Sequence, residues 1–187
     1  MIKVFLLMHL SVFIAGFTGI FGRLIETDSY SIVFWRMLIA VVTFVLYLYF
    51  CHPLQKLSLA LRCKAMLVGA LLMGHLVTFY MSIKLSNVSI GVTTLSTMGF
   101  FAAICEPLFF KKKISAVELI FSIISIAGIM FIFGFDSRYR LGIVVGLFSS
   151  FLAASFFICN KGVSASAQDV LSLLFYLICG GFISLVL

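Results

Sequence analysis

Long apolar runs, repeated from one end of the chain to the other, constrain its fold more than any other feature. They cover residues 3–22, 30–50, 65–83, 88–110, 114–134, 141–160 and 170–187. A helix needs about 20 apolar residues to cross about 30 Å of hydrocarbon. In lipid the backbone must satisfy its own hydrogen bonds, which leaves helices and closed barrels. Barrel strands alternate over about 10 residues, whereas these runs are continuous and twice as long. The sequence therefore predicts an all-α integral membrane protein with about seven transmembrane helices. Composition agrees: 64% of residues are hydrophobic and 10% charged, against roughly 25% charged in soluble proteins. A water-soluble fold of this size has too little interior to hide so much apolar side chain.

The formal charge is +7, but the basic residues occupy the short gaps between runs. They form neither a stripe nor a tail, so nucleic acid is not an expected partner. Topology explains them better. With the N-terminus inside, Lys3, Lys56, Arg62, Lys64, Lys111, Lys112, Lys113 and Lys161 face the cytoplasm. Arg23, Lys84, Arg138 and Arg140 lie outside, and Arg36 falls within a span. This asymmetry predicts a cytoplasmic N-terminus. The first run begins Met1-Ile2-Lys3 and continues for about 20 residues, beyond the roughly 7–15 of a signal-peptide core, so it reads as a first membrane helix. Cys51, Cys63, Cys105, Cys159 and Cys179 are scattered. They show no spacing for a disulfide framework or a zinc site.

An internal repeat emerges when position n is set against n + 138. Ser11 meets Ser149, Phe13 meets Phe151, Ala15 meets Ala153, Ile20 meets Ile158, and Arg23 meets Lys161. The copies fall in the first and sixth runs, with four helices between them, so they run in opposite directions, as in inverted-repeat transporters. The alternative is coincidence among apolar residues. The sequence ends inside an apolar run, Gly180 to Leu187, which predicts a truncated protein or a fragment.

Several local patterns carry a resemblance. The first helix ends Gly16-Phe-Thr-Gly-Ile-Phe-Gly-Arg-Leu-Ile25, and the second carries Phe34-Trp35-Arg36 near its start. From Phe109 to Gly128 an apolar run, a tight basic turn and a helix with a late Ala127-Gly128 follow one another. In order and spacing these resemble the EamA type of the drug/metabolite transporter superfamily. Two features depart from it: Lys111-Lys112 stands where the family usually carries Gly-Glu, and Met98-Gly99 where it often carries a proline. The resemblance implies ten helices arranged as two inverted five-helix repeats around a central cavity. On this reading residues 1–135 form one complete repeat, and 136–187 hold the first two helices of the second.

Polar groups within a membrane are costly, so each needs an account. His75, Thr78 and Ser82 share one face of the third helix; Ser89, Thr93, Ser96 and Thr97 share one face of the fourth. The expectation is that these faces confront each other and line a polar cavity. The plainer alternative is that the hydroxyls bond their own helix carbonyls. Arg36 lies where a guanidinium could bind a substrate carboxylate, or snorkel, or pair with Glu26 or Asp28. Trp35 reads as an interfacial anchor. Thr18 belongs to small-residue pairs in the first helix (Ala15 with Gly19, Thr18 with Gly22) that favour close packing. Tyr80 could offer its ring and hydroxyl to a solute, or join an aromatic belt. His9 and Glu106 are candidate proton-coupling groups; the alternatives are helix packing for His9 and a lysine partner for Glu106. Pro107 could kink the fourth helix. Glu118 suits the N-terminal dipole of the fifth.

The expected function is secondary-active transport of small metabolites, amino acids or drugs by alternating access, in the cytoplasmic (inner, plasma) membrane. The alternatives are a non-transporting membrane scaffold or degenerate fragment, and an intramembrane enzyme. An enzyme is not expected, because no HExxH or GxSxG motif occurs. No cofactor or metal is expected. The expected partners are the lipid bilayer and a small-molecule solute, with a homodimer left open.

Overall fold

A computed structural model describes residues 2–52, 54–133 and 137–187. Its helices are α1 (Ile2–Leu24), α2 (Ser29–Cys51), α3 (Leu59–Leu85), α4 (Val88–Leu95), α5 (Met98–Phe110), α6 (Ala116–Phe133), α7 (Arg140–Ser164) and α8 (Val170–Val186). A 3-10 turn, Ser137–Tyr139, leads into α7. No strand occurs among the described residues. Five segments are long and apolar enough to cross a membrane: α1, α2, α3, the α4–α5 pair taken together, and α7. Two shorter apolar helices, α6 and α8, complete the seven anticipated runs. Asp136 and the anticipated repeat boundary at 135–136 lie outside the described residues.

The fourth run is broken. At Ser96 and Thr97 the ladder tightens to three-residue spacing, with Ser96 N–H donating to the Thr93 carbonyl and Thr97 N–H to that of Thr94. The Thr97 hydroxyl also donates to the Thr94 carbonyl at 2.7 Å. Hydroxyls competing for helix carbonyls are known to bend helices. Pro107 instead sits near the end of a helix that stops at Phe110. Lys111 then takes a left-handed conformation (φ 53°), and Lys112 N–H closes on the Pro107 carbonyl at 2.9 Å.

Starts are set by side-chain caps. Asp28 accepts from Ser31 N–H at 2.9 Å, Asn87 from Ile90 N–H at 2.8 Å, and Asp169 from Ser172 N–H at 3.0 Å. Each satisfies a donor that the first helical turn leaves unpaired.

In lipid, burying a leucine gains little over leaving it in the acyl chains, so helices associate through small residues, tight packing and hydrogen bonds. The interfaces here follow that rule. Helix α3 is the central element and packs most extensively against α7 and α8. The buried positions in the first half of α7 are small: Gly142, Gly146, Ser149, Ser150 and Ala153; further on, Phe156 packs with Val68 of α3. A Cβ on Gly142 would lie 2.6 Å from that of Ser86, and one on Gly146 would collide with the Thr94 side chain. Against α8, Gly69 approaches the backbone at Leu177 and Gly181. Larger side chains fill the α2–α3–α8 core: Val33, Met37, Met73, Phe79, Ile83 and Leu185. Tyr30, at the start of α2, donates its hydroxyl to the Leu185 carbonyl near the end of α8.

Helix α1 stands apart. Only Gly19 and Gly22 are buried, while Phe5, Phe13, Phe21 and most other side chains are exposed. Its C-terminal end is tied down by Lys84, whose ammonium donates to the Ile25 carbonyl at 2.8 Å.

The contacts order the ends. The ends of α1 and α3 meet the starts of α2 and α7, as the Lys84–Ile25 bond and the Gly142–Ser86 contact show. At the opposite end, His52 after α2 lies 3.9 Å from Asp169 before α8, and Lys161 of α7 meets Glu106 of α5. Lys56, Arg62, Lys64 and Lys111 to Lys113 gather at this second, basic end.

Candidate functional site

The two polar stripes expected to confront each other do not. Helix α3 turns His75 and Ser82 toward α7: His75 Nδ1 lies 2.9 Å from Ser149 Oγ, and the Ser82 hydroxyl donates to the Gly142 carbonyl at 2.7 Å. On α4 and the following turn the core side is Ile90, Gly91, Thr94 and Thr97, while Ser89 and Ser96 are exposed. The sequence assigned the face from hydroxyl spacing; packing against α7 selected the face bearing Gly91. Thr78, Thr93, Ser96 and Thr18 each donate to a carbonyl of their own helix, at 2.7, 2.5, 2.7 and 2.6 Å.

Arg36, Tyr80 and Thr18 do come together. Thr18 on α1, Arg36 on α2 and Tyr80 on α3 line a cavity of about 460 Å³ at the α1–α2 connection, with Gly22, Thr27 and Trp35. Arg36 Nη1 donates to the Tyr80 hydroxyl at 2.9 Å. Tyr80 is buried and its ring lies against Gly22, where a Cβ would strike ring atoms. The missing side chain at 22 is what lets this ring seat. Arg36 pairs with neither Glu26 nor Asp28. Asp28 instead caps α2, and hydrogen bonds from Ser31 hold its carboxyl below the ordinary value. Among the described residues the ion pairs are His52–Asp169 and Lys161–Glu106.

Arg36 also borders a second cavity, of about 390 Å³, between α2, α3, α7 and α8. That one runs toward the opposite, basic end, where Asn160, Ser164 and Val170 line it. One guanidinium-bearing residue therefore borders cavities that extend to both ends of the bundle. A larger cavity of about 690 Å³ opens at the basic end between α3, α5 and α7, with Lys64, Phe109 and Phe110 in its walls. None of the anticipated site residues lines it.

Glu106 lies 2.6 Å from the Lys161 ammonium, and the Phe110 ring sits under the same ammonium at 5.6 Å. His9 is exposed on α1 and bonds within its own helix, its Nδ1 2.9 Å from the Phe5 carbonyl. Among the described residues, no three His, Cys, Asp or Glu side chains gather as metal ligands would.

The seam that α7 makes with α3 and α4 is what sequence reasoning missed. Ser150 donates to the carbonyls of Thr94 and Gly146, at 2.7 and 2.8 Å. The signal was present as small residues every four positions, Gly142, Gly146, Ser150 and Ala154.

A family model described as the EamA-like transporter family matches residues 2–134. The chain belongs to the EamA-like transporter family. It is a multi-pass membrane protein of the drug/metabolite transporter superfamily. The EamA match ends with α6, so it takes in α1, Arg36 and Tyr80 but not α7 or α8. No curated protein and no solved structure matches the chain. The left-handed Lys111 occupies the turn where EamA members usually carry Gly-Glu. The α4–α5 break falls beside Met98-Gly99, where they often carry a proline.

Proposed function

We propose that this chain works as a secondary-active transporter of small solutes, moving them by alternating access past Arg36. The observation that carries the reading is the sharing of Arg36 by two cavities that run to opposite ends of the bundle. A solute held there would exchange one exit for the other through a modest shift of α2 against α3, without crossing the whole bilayer in one step. Arrangements with a binding point near the midplane and half-paths on either side are general in secondary transporters.

Residues 1–135 and 136–187 are proposed as a complete and a partial inverted repeat. Supporting this, α1 begins at Ile2 and α7 at Arg140, 138 positions apart and pointing in opposite directions. The basic end is proposed to face the cytoplasm in a plasma membrane, on the strength of the lysine and arginine bias.

The enzyme reading would draw on His75 and Ser149. Their geometry favours packing: the Ser149 hydroxyl donates to the His75 backbone carbonyl at 3.0 Å, and Ser149 is 1% exposed. A nucleophile needs a free proton path to its base and room for a substrate.

Uptake into proteoliposomes tests the transport reading. Purified chain would be offered a labelled panel of amino acids, carboxylates and organic cations under ion gradients. Saturable uptake of at least one solute above protein-free vesicles is expected, reduced in Arg36→Gln. Uptake equal to empty vesicles for the whole panel would overturn it.

A further inference from the structure

We propose that the cavity shared by Arg36, Tyr80 and Trp35 recognises the oxyanion of a small, otherwise apolar solute, with Arg36 as the anion-binding group. The inference rests on the transport reading for its consequence, but the site stands on its own geometry. Arg36 is seven residues into α2, about 10 Å along the helix from its first residue by helical rise. A cation at such depth is costly unless something answers its charge. Its hydrogen-bond partner is a neutral phenol, the Tyr80 hydroxyl at 2.9 Å. The two nearby acids do not compete for it. Asp28 is committed to the α2 cap through Ser31, and Glu26 makes no ion pair with it.

The Tyr80 bond occupies Nη1 and holds the guanidinium on the wall of the cavity. The remaining N–H groups are available, in the planar fork that suits carboxylate or phosphate oxygens. Around it the lining is mostly apolar: Phe21, Ile32, Trp35 and Ile39, and the hydroxyls of Thr18 and Ser31 already donate to the Ala15 carbonyl and to Asp28. An anion here would be met at one point and surrounded by ring and aliphatic surface. A cation of the same shape would meet the positive charge of Arg36 in a medium that screens it weakly. The occupant is therefore a small acid with an apolar body. Tyr80 acts as a positioning residue, because it orients the guanidinium through one hydrogen bond.

Trp35 is the single tryptophan of the chain and lines the same cavity, so its fluorescence reports occupancy. The test uses full-length protein in phosphatidylcholine nanodiscs, with 4-nitrobenzoate as a quenching probe and 4-nitrobenzylammonium as its cationic counterpart. Saturable quenching by the carboxylate is expected, with the ammonium compound at least about tenfold weaker. Arg36→Gln should abolish the saturable part. Arg36→Lys, which keeps the charge but loses the fork, should weaken it about tenfold. Tyr80→Phe should weaken it less than Arg36→Gln does. Equal quenching by both probes, or unchanged carboxylate quenching in a folded Arg36→Gln or Arg36→Lys protein, would overturn the proposal.

A second arm replaces phosphatidylcholine with phosphatidylglycerol. Unchanged affinity supports a free solute; displacement of the probe would assign the seat to a lipid phosphate and overturn the solute reading. Binding without uptake would sink the transport reading and leave the anion site standing. Uptake of cations alone, with no anion binding, would do the reverse.

Discussion

His75 on α3 and Ser149 on α7 are tied to each other three times: ring Nδ1 lies 2.9 Å from Ser149 Oγ and 3.0 Å from the Ser149 carbonyl, and the Ser149 hydroxyl donates to the His75 carbonyl at 3.0 Å. The pair sits in the largest helix interface of the molecule, and Ser149 is buried. It does structural work that a lipid environment cannot supply by burial alone. Interhelical hydrogen bonds in membranes average about 0.6 kcal/mol and reach about 1.7. Ser149→Ala is therefore expected to cost about 1 kcal/mol, read as a lower unfolding midpoint in detergent. An unchanged midpoint would show that the Ser149 hydroxyl adds nothing to the hold of the seam.

The same seam predicts a sharp contrast between glycines. At Gly146 a Cβ would meet Thr94 and lie 2.7 Å from Ser82 Oγ, whereas at Gly16 nothing lies within 4 Å. Overpacking a tight core typically costs about 1–3 kcal/mol. Gly146→Ala should fall in that range, while Gly16→Ala should be neutral or slightly stabilising through helix propensity. Parallel unfolding curves of the two variants check this. Equal midpoints would contradict the close approach of α7 to α4.

Lys111 holds a left-handed conformation that an L-residue adopts at a cost of about 1–2 kcal/mol. Glycine has no such penalty but loses more freedom on folding. Lys111→Gly should therefore stabilise the protein by about 0.5–1 kcal/mol, with little change in uptake. A lower midpoint would mean that the lysine makes a contact outweighing its backbone strain.

Asp169 caps α8, and its hydrogen bonds, those from Ser172 first, hold its carboxyl below the ordinary 3.8. A carboxyl depressed in the folded state contributes stability that is fully present above its unfolded value. That contribution fades as pH drops through 3.8 and on toward the lower folded value. Wild type should exceed Asp169→Asn in thermal midpoint at pH 6, and the gap should narrow on acidification toward pH 3. A gap independent of pH would show that the carboxylate charge plays no part in the cap.

The spans were legible because hydrocarbon thickness fixes their length: all seven runs correspond to helices or, for 88–110, to a helix pair. The break in that fourth run was not anticipated, since proline seemed the natural place to interrupt it. Pro107 instead lies in the final turn of α5, three residues before the helix stops at Phe110. Ser96 and Thr97 break the helix through their own hydrogen bonds. Which hydroxyls face inward was also hidden. His75, Thr78 and Ser82 share a face by spacing, but spacing does not say which neighbour that face meets, and the neighbour is α7, more than sixty residues on. Arg36 and Tyr80 were each legible as candidates. Their contact was not, because it depends on Gly22 making room for the ring.

The central claim is that two cavities bordered by Arg36 open on opposite faces of a membrane. It is tested most directly by thiol labelling from each side. In a chain whose five native cysteines are replaced by alanine, Thr27→Cys and Ser164→Cys would place single thiols in the two cavities. An impermeant maleimide would then be applied to right-side-out and inverted vesicles. Labelling of Ser164→Cys only from the cytoplasmic face and of Thr27→Cys only from the opposite face is the predicted result. Labelling of both from one face would contradict the account.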